Sequence, residues 1–226
     1  GADLTAAVIE SVDLERANLA GAKLVRTDLR RARLSSCRLS GADLTEARIE
    51  RAQLSGVDLR GVKLSGTALV QTLFEGAEAP GVSFSGCDLT SSTFSGANLA
   101  GALFADAIAR QTSFERADLT SAKMQRIKAP LANFGGAHLD EADLRSGNFE
   151  DANFDGAELR KARAEGATFD KSRFVRADLR ATNLAGASFV HVDFSHAKLD
   201  GCDLRGATLD GANLHRTSRE GADLTR

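Results

Sequence analysis

The sequence predicts a single all-β solenoid over residues 1–226, because three columns of residues repeat with a period of five along the whole chain. Every fifth residue from Leu4 to Leu224 is a centre, and of these 45 positions 25 are Leu and 12 are Phe. The residue two before each centre is small, and 27 of these are Ala. The position two after a centre holds 19 of the 21 Gly. A period of five fits neither a helix nor a strand, so we expect a corner in every pentad.

Each column has a physical role in such a fold. The centres hold every Phe of the chain, so they are expected to form the core. The small column must also point inward, into a space with little room. Glycine at the third column suits a corner with positive φ, as at the third residue of a type II turn. The positions between these columns carry charged and polar residues and are predicted to face outward.

Three pentads carry a resemblance to a known family. Residues 41–45 (GADLT), 96–100 (GANLA) and 211–215 (GANLH) resemble the Ala-(Asp/Asn)-Leu-X-X motif of the pentapeptide-repeat proteins. The resemblance extends over the whole chain without an insertion. It implies a right-handed quadrilateral β-helix in which four pentads form one 20-residue coil. About eleven coils, at roughly 4.8 Å each, would give a rod of roughly 54 Å.

Columns of residues 20 apart test the square coil. One such column has Phe at seven consecutive positions from Phe74 to Phe194, which predicts an aromatic ladder inside the rod. Volume is compensated within coils, because Ala164 accompanies Phe169 and Phe174. The three cysteines fall in the small column and are predicted to be buried thiols without a disulfide: Cys37, Cys87 and Cys202.

The sequence offers little catalytic chemistry. We find no spacing typical of a nucleophile with its base, no phosphate-binding loop and no paired Cys motif. The four histidines occupy outward or corner positions, which disfavours a metal site: His138, His191, His196 and His215. We therefore expect a protein that is not an enzyme and that needs no metal or cofactor.

Charge and hydropathy set further expectations. The 29 basic and 31 acidic residues are interspersed, so no direct nucleic-acid binding is expected. No apolar run reaches the roughly 20 residues of a membrane helix, and the sequence does not open on a leader pattern, which together predict a cytoplasmic protein without a membrane contact. A run of arginines (Arg26, Arg30, Arg31, Arg33 and Arg38) maps around the rod and is interpreted as ordinary outward positions.

The pattern departs from its own rule between residues 103 and 131. Leu103 and Ile108 occupy outward positions, Ile127 is bulky for the small column, and Ala129-Pro130-Leu131 replaces a large centre and a turn. One interpretation is a bulge, in which the Ala centres make room for Ile127. The other is an exposed apolar surface that binds a partner, with the candidate residues Leu103, Ile108, Arg110, Lys123, Arg126, Lys128 and Leu131.

The family resemblance also implies partners. Its best-understood members resemble duplex DNA and protect DNA gyrase or topoisomerase IV from quinolones or other poisons. An acidic outward column would suit such a DNA mimic, but basic residues share its face: the acids are Asp58, Glu78, Asp118, Glu158 and Asp178. The balanced charge favours the alternative, a scaffold or effector-type interaction module within a larger protein. Open solenoid ends predict that a homodimer could form through one of them.

Overall fold

The computed structural model describes residues 1–225 and confirms a four-sided β-helix. Thirty-nine parallel bridges join outward residues that lie 20 positions apart, from Asp3 with Lys23 to Asp203 with Asp223. Each face contributes one bridging residue per coil, so within residues 1–225 there is neither a helix nor a longer strand. We name the faces by their first centres: face a begins at Leu4, face b at Ile9, face c at Leu14 and face d at Leu19.

The corners share one backbone conformation. All 44 described corner residues have φ between 55° and 69°, and 26 of them are not glycine. Every described turn except that at residues 69–72 is closed by a backbone hydrogen bond, for example by the Ala22 N–H donating to the Leu19 carbonyl at 3.0 Å. The corners tolerate side chains because there is open space outside them: a Cβ added at Gly21 or Gly41 would meet no atom within 4 Å. The ladder above and below therefore holds even bulky residues in the left-handed region.

The predicted aromatic ladder is confirmed on face c. The seven rings from Phe74 to Phe194 stack with centroids 4.6 to 5.4 Å apart. A second ladder stands edge-on to it, on face a at Phe84 and Phe104 and then on face b from Phe149 to Phe189. Phe104 on face a is accompanied by Ala109 on face b, and Phe169 on face b is accompanied by Ala164 on face a, so the core volume stays balanced in these coils.

Polar residues enter the small column by a repeated hydrogen bond. The Thr67 hydroxyl donates to the carbonyl of Leu44, 23 residues earlier, at 2.8 Å, and Thr112 donates to Leu89 in the same way. The three cysteines are buried and free, as predicted. Burial raises the pKa of Cys87 to about 11 and that of Cys202 to about 12, so these thiols stay protonated and act as small apolar groups.

The bridge ladder is interrupted at one place in the described coils, which the sequence did not predict. Lys63 does not bridge to Ser83, nor Ala68 to Asp88. The N–H groups of residues 61, 64, 66, 69, 83 and 88 lack the ladder bonds that their equivalents make elsewhere in residues 1–225. We call this parting on faces a and b the seam. On faces c and d the same two coils remain joined, through the pairs 73–93 and 78–98.

Side-chain volume accounts for the seam. Three adjacent positions of the small column exceed Ala in both coils, with Val62 stacked on Val82, Thr67 on Cys87 and Thr72 on Ser92. The Ser92 hydroxyl replaces turn bonding, since it donates to the Leu69 carbonyl at 2.6 Å and accepts from the Thr72 N–H at 3.0 Å. On face c the hydrogen bond between Thr72 and Ser92 joins the two coils, whereas on faces a and b the enlarged pairs overfill the close-packed core and the coils part.

The bulge interpretation of residues 103–131 is wrong. Leu103 bridges to Lys123 and Ile108 to Lys128, and the turn at Leu131 keeps a φ of 61°. Ile127 is completely buried, as are the two alanine centres at 109 and 129. The alanines leave the space that Ile127 fills, so the substitution is absorbed inside the rod and the backbone stays regular.

Outward Asp and Asn residues have a structural task. The Asp43 carboxylate accepts from the Thr45 N–H at 3.1 Å, a backbone group that the ladder does not use. Where Arg follows two residues later, it joins the same carboxylate: Arg60 donates to Asp58 at 2.8 Å. This hydrogen bond lowers the pKa of Asp58 to about 2, and Arg205 lowers that of Asp203 to about 2. These hydrogen bonds therefore favour the ionised form of the outward carboxylates.

We expect acid to destabilise the rod in a defined window. A carboxyl whose pKa is depressed in the folded state stabilises that state above its unfolded pKa, and this contribution is lost as pH falls through the folded pKa. With an ordinary value of 3.8 and a folded value of about 2, the urea midpoint should fall between about pH 4 and pH 2. Asp58→Asn should flatten this dependence, whereas a midpoint constant down to pH 2 would contradict the assignment.

Candidate functional site

The candidate site lies on faces a and b, where outward apolar residues stand on a regular ladder. Leu103 and Ile108 are 37% and 38% exposed, and Leu131, at the next corner, is 42% exposed. In other coils these outward positions hold mostly charged or polar residues, such as Asp43 and Asp28. We call Leu103, Ile108 and Leu131 the apolar patch. Because the backbone beneath is unstrained, nothing in the folding of the rod requires these side chains to be apolar.

Four exposed cations surround the apolar patch, and we call them the basic rim: Arg110, Lys123, Arg126 and Lys128. Arg126 is neutralised by Asp106, with a nitrogen–oxygen distance of 2.7 Å, and this bond raises the pKa of Arg126. The other three form no ion pair within residues 1–225. The structure thus brings the predicted site residues together and adds Asp106, whose position 20 residues before Arg126 was the available signal.

The seam adjoins the apolar patch. Ser83 and Asp88 lie directly below Leu103 and Ile108 in the bridge columns. A groove of about 490 Å³ opens there, lined by residues of both parted coils, among them Lys63, Ser65 and Ser85. Unpaired backbone groups at the seam can accept or donate further hydrogen bonds. An apolar surface, free cations and unpaired backbone groups therefore share two adjoining sides of the rod.

The acidic column on face d is partly neutralised. Asp58 pairs with Arg60 at 2.8 Å, Glu158 with Arg160 at 2.6 Å and Asp178 with Arg180 at 2.6 Å. Glu78 and Asp118 have no ion pair in the described part of the chain. The acids of this face that keep an unpaired charge, Glu78 and Asp118, therefore lie in the middle part of the rod.

The described residues contain neither a cluster of metal-binding side chains nor a membrane-spanning helix. No group of three or more His, Cys, Asp or Glu side chains among residues 1–225 is placed to hold a metal ion. His196 and His215 meet edge to face, with ring centroids 5.8 Å apart. In residues 1–225 we find no helix with the length and hydropathy needed to cross a bilayer.

Comparisons with known proteins agree with this architecture. Residues 27–104 match the family described as pentapeptide repeat region. Residues 1–35, 97–129, 132–170, 172–211 and 187–226 match the family described as pentapeptide repeats (8 copies). No curated protein matches the sequence.

Two solved structures show the same fold. HetL, a pentapeptide repeat protein involved in heterocyst differentiation regulation from the cyanobacterium Nostoc sp. strain PCC 7120, is 29% identical, with a TM-score of 0.62 over 97% of this chain and 89% of HetL. A trypsin-treated form of QnrB1, a plasmid-mediated fluoroquinolone resistance protein, is 18% identical, with a TM-score of 0.56 over 95% of this chain and 91% of QnrB1. Repeat, corners, core and family matches coincide over the chain, which belongs to the pentapeptide-repeat family.

Proposed function

We propose that the chain is a non-enzymatic rod that binds a partner protein through the apolar patch and its basic rim. The observation that carries this proposal is the exposure of Leu103 and Ile108, whose own bridges to the coils on either side are intact. Apolar surface ringed by cations favours a protein partner that is acidic around an apolar centre.

The filled interior supports a binding role over catalysis. Centres and small residues of the inner coils are almost completely buried, and the grooves found along residues 1–225 lie on the outside of the rod. Enzymes usually enclose their substrates in a concave, water-shielded pocket with convergent polar groups. A straight rod instead offers long, rigid sides, and rigid surfaces lose little entropy when they bind.

The partner we propose is a bacterial type II topoisomerase, DNA gyrase or topoisomerase IV, with the rod acting as a mimic of duplex DNA in the cytoplasm. The unpaired acids Glu78 and Asp118 on face d support this, because a surface that normally holds DNA is positively charged. QnrB1, which shares the fold, is a fluoroquinolone resistance protein, and we propose the same protective role here. In this arrangement face d replaces DNA, and the apolar patch adds a contact that DNA lacks.

A supercoiling assay tests this partner. Purified gyrase should continue to supercoil relaxed plasmid in the presence of ciprofloxacin when the rod is added. The variant Glu78→Gln with Asp118→Asn should lose this protection. Asp151→Asn with Asp210→Asn, two exposed acids away from face d that form no ion pair within residues 1–225, is the matched control and should protect like the wild type. Absence of both protection and inhibition over a wide concentration range would overturn the proposal for gyrase, and the same assay with topoisomerase IV decides the second enzyme.

The alternative function is a scaffold that holds another protein without acting on topoisomerases. The near-balanced charge favours it, since 29 basic residues offset 31 acidic ones and face d is largely paired. HetL, a pentapeptide repeat protein involved in heterocyst differentiation regulation, shares the fold. A rod that fails in both supercoiling assays, yet loses binding to its partner when the apolar patch is changed, would be a scaffold of this kind.

A further inference from the structure

A groove between faces b and c gathers charged side chains from three successive coils and two uncharged ones from the fourth. It has a volume of about 360 Å³, and we call it the arginine groove; its lining residues are Glu10, Arg30, Arg31, Arg48, Glu50, Arg51, Val70 and Gln71. The expectation that the arginine run maps around the rod is correct for Arg26, Arg33 and Arg38. Arg30 and Arg31, however, meet Arg48 and Arg51 of the next coil, because stacking brings residues about 20 apart together.

Only one of these four cations is fully committed to a carboxylate. Arg30 donates to Asp28 through Nε at 2.8 Å and Nη2 at 2.6 Å, which lowers the pKa of Asp28. Arg31 approaches Glu10 no closer than 3.7 Å. Arg48 lies 3.6 Å from Glu50, and Arg51 donates to the neutral Gln71 at 2.8 Å. Distances above 3.5 Å are too long for hydrogen bonds, so three guanidinium groups keep donors available.

Glu10 and Glu50 indicate which kind of anion could bind to the arginines of the groove in their presence. Glu10 accepts a long hydrogen bond from Arg30 Nη2 at 3.4 Å, yet it stays 3.7 Å from Arg31, and Glu50 stays 3.6 Å from Arg48. Neither carboxylate therefore hydrogen-bonds Arg31 or Arg48. Glu50 Oε2 is buried and has no hydrogen-bond partner in the described chain. A ligand must therefore carry more charge and more acceptor atoms than a carboxylate to draw Arg31, Arg48 and Arg51 together. A phosphate monoester, with a charge of about −1.5 to −2 and three acceptor oxygens, meets both conditions.

We propose that the arginine groove binds a phosphate monoester. The three available guanidinium forks of Arg31, Arg48 and Arg51 hold its oxygens, while Val70 contacts the carbon that bears the phosphate. Arginine clusters of this kind recognise phosphorylated side chains and free phosphate compounds by the same chemistry. The site lies on other coils than the apolar patch, so it is independent of the topoisomerase proposal.

Calorimetric titration at low ionic strength tests the groove. The probes are a heptapeptide of alanine and glycine around a central phosphoserine, the same peptide with serine, and inorganic phosphate. We expect the phosphopeptide to bind, and Arg48→Gln with Arg51→Gln to weaken binding at least tenfold. Arg163→Gln with Arg176→Gln, one bridge and one corner position far along the rod, is the matched control and should change affinity less than twofold.

A change of the opposite sign sharpens the test. Glu50→Gln removes a repelling charge and supplies a donor, so it should tighten phosphopeptide binding at least threefold. No binding, equal binding of the serine peptide, equal losses in the groove and control variants, or weaker binding by Glu50→Gln would each overturn the proposal. If the phosphopeptide binds tenfold tighter than inorganic phosphate, the source is a phosphorylated protein, and equal affinities identify a free phosphate compound. Circular dichroism confirms folding of each variant.

Discussion

Replacing Phe134 by alanine is expected to lower the free energy of unfolding by about 3 to 5 kcal/mol, the range of large-to-small changes in close-packed cores. Phe134 is completely buried in the middle of the face c ladder. It stacks on Phe114 at 5.0 Å and on Phe154 at 4.7 Å, and Phe149 meets its edge. The cavity would interrupt the ladder at a point that both halves of the core share. Urea denaturation followed by circular dichroism measures the loss.

Two controls separate packing from general sensitivity. Phe134→Leu keeps part of the volume, as in the coils whose face c centres are Leu34 and Leu54, and should lose clearly less than Phe134→Ala. Lys198→Gln changes an exposed outward residue on face d and should alter the free energy of unfolding by less than about 0.5 kcal/mol. Similar midpoints for Phe134→Ala and Lys198→Gln would contradict the described interior.

The double substitution Leu103→Asp with Ile108→Asp should leave the rod folded and weaken partner binding by about 2 kcal/mol, roughly thirtyfold. Both side chains project outward, so the core keeps its volume. Aspartate is common at this position of the repeat, where Asp43 accepts a hydrogen bond from the backbone N–H two residues later. New carboxylates would also attract the free Lys123 and Lys128 and repel an acidic partner.

The measurement compares circular dichroism, melting temperature and affinity for gyrase on the same double variant. Leu73→Asp is the control, since Leu73 is also a partly exposed apolar outward residue but lies on face c. It should retain affinity. A collapse of the melting temperature in the double variant would place these side chains inside the rod. Normal folding with unchanged affinity would remove the apolar patch from the proposed function.

Much of the fold could be predicted from the sequence because inward positions constrain residue type strongly. The column of Phe74 to Phe194 and the volume exchange between Phe and Ala are properties of single columns, which a period of 20 makes visible. The positions of the corners could be predicted, but not that the corners accept residues other than glycine. Arg26 and Leu131 adopt a left-handed backbone like glycine, because the ladder fixes the conformation that the residue alone disfavours.

The seam and the arginine groove could not be predicted in the same way, because both depend on pairs of residues in different coils. Val62 and Val82 are each acceptable in a small column, and only their stacking beside other enlarged positions parts the coils. Arg31 and Arg51 each look like ordinary corner residues, and their proximity follows from the 20-residue stacking. The apolar patch was visible in the sequence, but the geometry was needed to decide between a bulge and an exposed surface.

The seam also gives the rod a mechanical anisotropy. Elsewhere in residues 1–225 each pair of coils is fastened on four sides, whereas here faces a and b are released while c and d stay joined through the pairs 73–93 and 78–98. The rod should therefore bend most easily in one plane at the seam. In this motion faces a and b open or close while faces c and d act as the hinge. The face c ladder crosses the seam on a joined side, where Phe74 stacks on Phe94 with ring centroids 4.6 Å apart. A partner that docks beside Leu103 and Ile108 therefore meets a rod whose curvature can change on the released sides while this stacked side acts as the hinge.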